Sequence, residues 1–307
     1  MKKYFIITVD TESDNQWDCC HAATTENAKF IPRFQALCEK FGFKPVYLTD
    51  YSMAQNPFLV EFLKKSNNNN LCEIGMHLHA WDTPPTHSLD FCSTARPYLI
   101  EYPNDVIEEK IKTIHNLLCD SFETQIVSHR AGRWAINSFY IEILEKLNYI
   151  VDCSVTPGIN WKSAKGGVKG GCDYRKWNVT PTFLTKNNQI LEIPVSVCNQ
   201  RFCTNFRLKE IAKLFLGRKI WLRPALFSND IMMRAIHYFE NRTDYVEFML
   251  HSSELMPGGS PYFTTQSSIE NLYTRLNTFF LDLKGKGYEG VTLHEYYEIF
   301  RGKNAVL

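Results

Sequence analysis

No stretch of this 307-residue sequence approaches the roughly 18 apolar residues of a membrane-spanning helix, which argues against a membrane span. The opening MKKYFIITVDTE carries two lysines but too short an apolar run for a signal-peptide core, and no small-residue cleavage site. Ten cysteines are present, yet none falls in the CxxC spacing of a structural zinc site. Charge of one sign is also missing. Lys plus Arg is 34 and Asp plus Glu is 33, a formal charge of +1, so neither a phosphate-tracking nucleic-acid surface nor an acidic disordered tail is expected. These absences leave a reduced, soluble, cytoplasmic protein as the expectation. No linker divides the chain, so residues 1–307 read as one domain.

What is present is apolar and aromatic. The hydrophobic share is 44%, enough for an ample core, and the aromatic share of 14% permits a sugar-stacking groove without requiring one. Short apolar runs alternate with amphipathic ones. Strands are expected at 3–9, 45–48, 71–76, 125–128, 149–153, 191–197, 245–250 and 289–293. Helices are expected at 27–41, 57–65, 105–119, 134–147, 208–215, 229–240 and 267–284, with 66–70 a solvated turn. Residues 156–189 hold five glycines with Pro157 and Pro181, and read as an elaborated loop or small hairpin. Alternation of this kind predicts parallel strands covered by helices, as an open doubly wound sheet or a barrel.

The residues that follow the strands carry the chemistry. EIGMHLHAW places His77 and His79 two apart, and TVDTE does the same for Asp10 and Glu12. Residues i and i+2 of a strand share a face, so two carboxylates and two imidazoles can converge at strand ends. Such a group suits a divalent metal or proton transfer. His129, Arg130, Asp152 and His251 stand at comparable places.

Taken in order, these motifs resemble the polysaccharide deacetylase (NodB-homology, carbohydrate esterase family 4-like) family, and most of all its lipopolysaccharide- and glycan-biosynthesis branch. The resemblance spans approximately residues 4–295. It sets Asp10 on the family's catalytic base, His77 on a metal-binding histidine and Arg130, in SHRAGRW, on the arginine that orients the base. His251, in FMLH, falls on the catalytic acid. Thr11 stands where the family has a metal-binding aspartate, and Trp81 where it has the second histidine. Glu12 or Asp14, together with His79, would then supply those ligands.

The fold so implied is a distorted (β/α) barrel of about seven parallel strands. The implied function is a hydrolase that removes an N-acetyl, or O-acetyl, group from a carbohydrate or glycan precursor. The implied cofactor is a divalent metal, zinc by preference, on His77, His79, Glu12 and Asp10. Trp81, Asp152 and Trp161 are the expected substrate contacts, and the expected partner is an acetylated sugar on a nucleotide or lipid carrier. Two other functions fit the same motifs: a metal-independent small-molecule amidase, and a catalytically silent carbohydrate-binding or scaffold protein.

Overall fold

The computed structural model describes residues 2–14, 16, 23–89, 96–162, 170–200 and 218–304. Strand β1 (Lys3–Thr11) is buried along nearly its whole length and forms the spine. β2 (Pro45–Thr49), β3 (Glu73–Leu78), β4 (Ser128–Ala131), β5 (Val151–Asp152) and β7 (Leu191–Glu192) follow it across the sheet. β10 (Tyr245–His251) lies on its other side. Those seven strands run parallel in the order β10-β1-β2-β3-β4-β5-β7, and β6 (Thr182–Phe183) adds an antiparallel edge. β11 (Tyr288–Gly290) pairs with residues 3–5 of β1, below the point where β2 begins. Helices α1 (Ile31–Lys40), α2 (Pro57–Asn68), α3 (Asn104–Phe122), α4 (Ser138–Lys146), α5 (Asn229–Phe239) and α6 (Gln266–Gly285) complete the alternation, and α7 (Leu293–Asn304) ends it.

Strand alternation sorts the core into two layers. Phe5, Ile7, Val9, Phe248 and Met76 point outward and pack under the helices. Tyr4, Ile6, Val46, Val151, Leu191 and Tyr245 point inward and form a separate apolar cluster with Tyr296 and Tyr297 of α7. The sheet is therefore curled, with its concave side filled at one end by the final helix. Closure on the far side is irregular. Pro194 ends the β7 pairing, since it has no N–H to donate. The chain then runs beside β10, where Glu247 N–H donates to Ser196 Oγ at 2.9 Å and Tyr245 donates to the Pro194 carbonyl at 2.7 Å. β8 (Val197–Asn199) and β9 (Lys219–Trp221) form a small antiparallel pair beside this seam. The expected distorted barrel is the architecture observed.

Several expected boundaries move. Helix α3 runs on to Phe122 before Glu123 turns left-handed (φ +50°), so the strand expected at 125–128 begins only at Ser128. Helix α2 absorbs Ser66–Asn68 of the expected turn, because Ser66 donates back to the Phe62 carbonyl and is buried. The helix expected from Trp134 starts at Ser138, where Asn137 accepts from Tyr140 N–H as its cap. The strand expected at 191–197 survives in the main sheet only at its first two residues, and that expected at 289–293 stops at Gly290. The helix expected at 208–215 lies outside the described residues.

Candidate functional site

The site sits at the end of the sheet opposite α7. β1 and β10 are neighbours in register, which sets Asp10 beside His251; β3 and β4 set His77 beside Arg130. All four side chains share the concave face. Leu48 separates the two pairs, and it fits because residue 75 is glycine: a Cβ there would lie 2.7 Å from Leu48 and 2.5 Å from Ser128 Oγ. One step beyond the strands, Glu12 and His79 continue the same face.

Asp10, Arg130 and Glu247 form a buried layer between the apolar filling and the open end. The Arg130 guanidinium donates to Asp10 at 2.6 Å, to Glu247 at 2.5 Å and to the Cys153 carbonyl at 3.1 Å; Thr8 also donates to Glu247. Arg130 has no solvent exposure. Burial works to raise the Asp10 carboxyl, but the Arg130 guanidinium, aided by His77 and His251, overrides it and holds Asp10 well below the usual carboxylate range. Asp10 is therefore an ionised carboxylate with one oxygen anchored. Its other oxygen lies 3.6 Å from His251 Nε2.

Glu12, His77 and His79 converge above this layer. Glu12 Oε2 is 3.7 Å from His77 Nε2 and 3.3 Å from His79 Nε2, and the three residues offer ligand atoms within 4.8 Å of one another. His77 Nδ1–H donates to the Arg130 carbonyl at 3.0 Å, which leaves Nε2 to face Glu12. Burial works to lower the His77 imidazole, but Asp10 and Glu12 override it and raise it, and a divalent ion would take the place of the Nε2 proton. Burial and the neighbouring His77 push His79 down to about 3, so its imidazole is neutral near pH 7. Two neutral-capable imidazoles and an ionised carboxylate fit a divalent ion such as zinc. The backbone of Glu12 is held by Asn27, whose amide donates to the Glu12 carbonyl at 2.7 Å, and by Ser252 Oγ, which accepts from Glu12 N–H at 3.1 Å. His79 is seated between Trp81, stacked on it at 4.4 Å, and Gly132, where a Cβ would lie 2.4 Å from the imidazole.

The sequence expectations separate here. Asp10, Glu12, His77, His79, Trp81, Trp161 and His251 all line one cavity of about 450 Å³, with Arg130 directly beneath it. Thr11 turns to the other face and donates to the Val9 carbonyl, so Glu12 occupies the space beside the histidines. Asp14 does not reach them. Its carboxylate accepts from Thr24 and from the amides of Glu26 and Asn27. Asp152, expected to contact substrate, is fully buried and does not line the cavity; it alternates with Val151 and Cys153, so it faces outward and accepts from His129 and Ser154. Sequence reasoning missed Glu247, although an acid within the apolar strand YVEFMLH was a signal. It also missed Glu254, which lies 3.5 Å from His251 Nδ1 and pairs with Arg223.

No protein-family model and no curated protein matches the chain. Solved structures do. The chain is similar to a Mycobacterium smegmatis protein designated a polysaccharide deacetylase, at 11% identity and a TM-score of 0.60, covering 99% of this chain and 92% of that one. A family 4 acetyl xylan esterase from Clostridium thermocellum, in complex with a cobalt ion, aligns at 13% identity over 97% of this chain and 91% of that one, with a TM-score of 0.48. At such identities only the first likeness carries weight, and it carries the fold alone.

Proposed function

We propose that this protein is a hydrolase that removes an acetyl group from an acetylated sugar or glycan precursor, with a divalent metal, preferably zinc, held by Glu12, His77 and His79. The observation that carries this reading is the meeting of an anchored, ionised Asp10 with His251 at the floor of an open cavity, beside that ligand set. The polysaccharide deacetylase designation of the Mycobacterium smegmatis protein of like fold is consistent with it. Nitrogen-bound acetyl is the expected target, because an acid is placed to protonate an amine. A nucleotide- or lipid-carried sugar in the cytoplasm is the expected setting, in keeping with the free thiols at all six described cysteines.

In this reading Asp10 accepts the proton of the attacking water, and its fixed oxygen keeps the other aimed into the cavity. His251 delivers a proton to the leaving nitrogen, and its Nδ1 lies 3.5 Å from a Glu254 carboxylate oxygen on the side away from the cavity's reacting centre. A bound divalent ion would polarise the acyl carbonyl and the water. Trp81 and Trp161 offer apolar faces to the sugar rings. The silent-binder alternative draws on Thr11 and Trp81, but Glu12 and His79 stand in for the ligands those positions lack.

The test is acetate release from N-acetylated sugars, nucleotide sugars and lipid-linked glycans, with and without added zinc. Wild type should turn over at least one of them. Asp10→Asn should keep the fold and lose at least about 100-fold in kcat, and His251→Ala should lose most on the poorest leaving groups. Elemental analysis should find about one metal per chain, and much less in His79→Ala. Equal background release from all three proteins, alongside saturable sugar binding, would establish a binder; turnover without metal would establish an amidase.

A further inference from the structure

The cavity has a second chemistry that amide hydrolysis does not use. Its lining includes Arg96 and Arg133, away from the buried Asp10–Arg130 layer. Among the described residues Arg96 forms no ion pair; its guanidinium lies 5.4 Å from the ring of Trp81, which in turn stacks on His79. Arg133 lies over Tyr98 at 3.9 Å and donates to the Tyr98 hydroxyl at 3.1 Å and to the Arg96 carbonyl. The two arginines are thus bound into one corner, and burial, together with the charge of Arg96, pulls the Arg133 guanidinium down.

Among the described residues, the carboxylates that line the cavity are already engaged. Asp10 and Glu12, the only carboxylates lining the cavity among the described residues, face Arg130 and the three histidines. Glu101, which acts on Arg133 from outside the cavity, accepts from the amides of Tyr98 and Gly170. Backbone strain points to the same corner. Arg133 and Trp134 are consecutive non-glycine residues in the left-handed region, at φ +56° and +65°. Such strain is unfavourable and persists where the fold holds side chains in a required direction. Here both side chains line the cavity.

Arg96 and Arg133 bring charge of the same sign to one partly dry corner of the cavity, and an anion there gains from both. We infer that this corner binds an anionic group, a phosphate ester or a carboxylate, carried on the same molecule as the acetyl group. The inference rests on the hydrolase reading for the acetyl group but not for the anion. Arg96 lies over Trp81, which stacks on His79, so the anion would sit on the Trp81 side of the reacting centre.

The probes are N-acetylglucosamine 1-phosphate, an N-acetylated amino-uronic acid and neutral N-acetylglucosamine, read by calorimetry and by acetate release. Wild type should bind at least one anionic probe about tenfold or more tighter than the neutral one, as a charge-assisted pair predicts. Arg96→Gln should bring that ratio close to one, Arg96→Lys should keep part of it, and added salt should compress it in wild type. Melting temperatures show whether each variant is folded, and Arg133→Gln gives an independent loss. Preference for the phosphate or for the carboxylate probe identifies the anion, and either supports the inference. Equal affinity for charged and neutral probes in wild type overturns it. Tight anion binding that Arg96→Gln removes, without acetate release from any probe, would sink the hydrolase reading and leave the anion site standing.

Discussion

Arg130 joins two carboxylates that no proximity in the chain relates. Asp10 and Glu247 both face it in a layer closed to water, so its removal leaves two buried anions without a cation. Arg130→Met should lower stability by about 3–5 kcal/mol in urea titration, the usual cost of breaking a buried pair. It should also change the pH profile. The Asp10 carboxyl is depressed in the folded state, so its contribution to stability is complete above the unfolded carboxylate range near pH ~4 and is lost as pH falls through the folded value. Wild-type kcat/KM should therefore show no acid limb from Asp10 above about pH 4. In Arg130→Met burial loses its main opponent and only His77 and His251 still counter it, so the Asp10 pKa rises and an acid limb should enter the measurable range. An unchanged profile in a folded variant would mean that Asp10 is not the base.

At the scale of elements, the least expected piece is α7, which fills the barrel end away from the site. Its start was readable. TLHE at 292–295 is a capping box, in which Thr292 Oγ1 accepts from Glu295 N–H at 3.2 Å and Glu295 accepts from Thr292 N–H at 3.0 Å. The β-rich look of the preceding GYEGV masks it. Thr292→Ala should cost about 1 kcal/mol, with acetate release at 25 °C little changed, because the cap is at the opposite end from Glu12. A loss of turnover larger than the loss of folded protein would show coupling between the two ends. The other displaced elements have equally local causes: Pro194 stops β7, and an αL residue at Glu123 delays β4.

Across the whole molecule, the helices are fastened to the sheet by a phenylalanine cluster. Phe280 of α6 meets Phe5 at 5.8 Å, Phe43 at 5.3 Å and Phe248 at 5.9 Å, mostly edge to face. Because Phe5 and Phe248 lie on β1 and β10, this cluster backs the two strands that carry Asp10 and His251. Phe280→Ala should cost about 3–5 kcal/mol and lower Tm accordingly. Turnover per folded molecule should hold well below the new Tm, since the inward face is packed separately.

Which residue types stand at the strand ends is legible in the chain alone. A period of two is set by covalent geometry, so Asp10 with Glu12, and His77 with His79, were bound to share faces once the strands existed. Helical periodicity likewise placed α1, α3, α5 and α6 within a few residues. Which of those faces meet depends on how the strands are ordered in the folded sheet. Strand order brings β10 against β1 and leaves Leu48 of β2 between Asp10 and His77; nothing local encodes that order. Asp152 shows the limit. It follows a strand residue as the others do, but its parity turns it outward to His129, and parity depends on where the strand begins. Glu247, Asn27 and Arg96 became site residues only through contacts between segments far apart in the chain, made when burial of the two apolar layers closed the sheet around them.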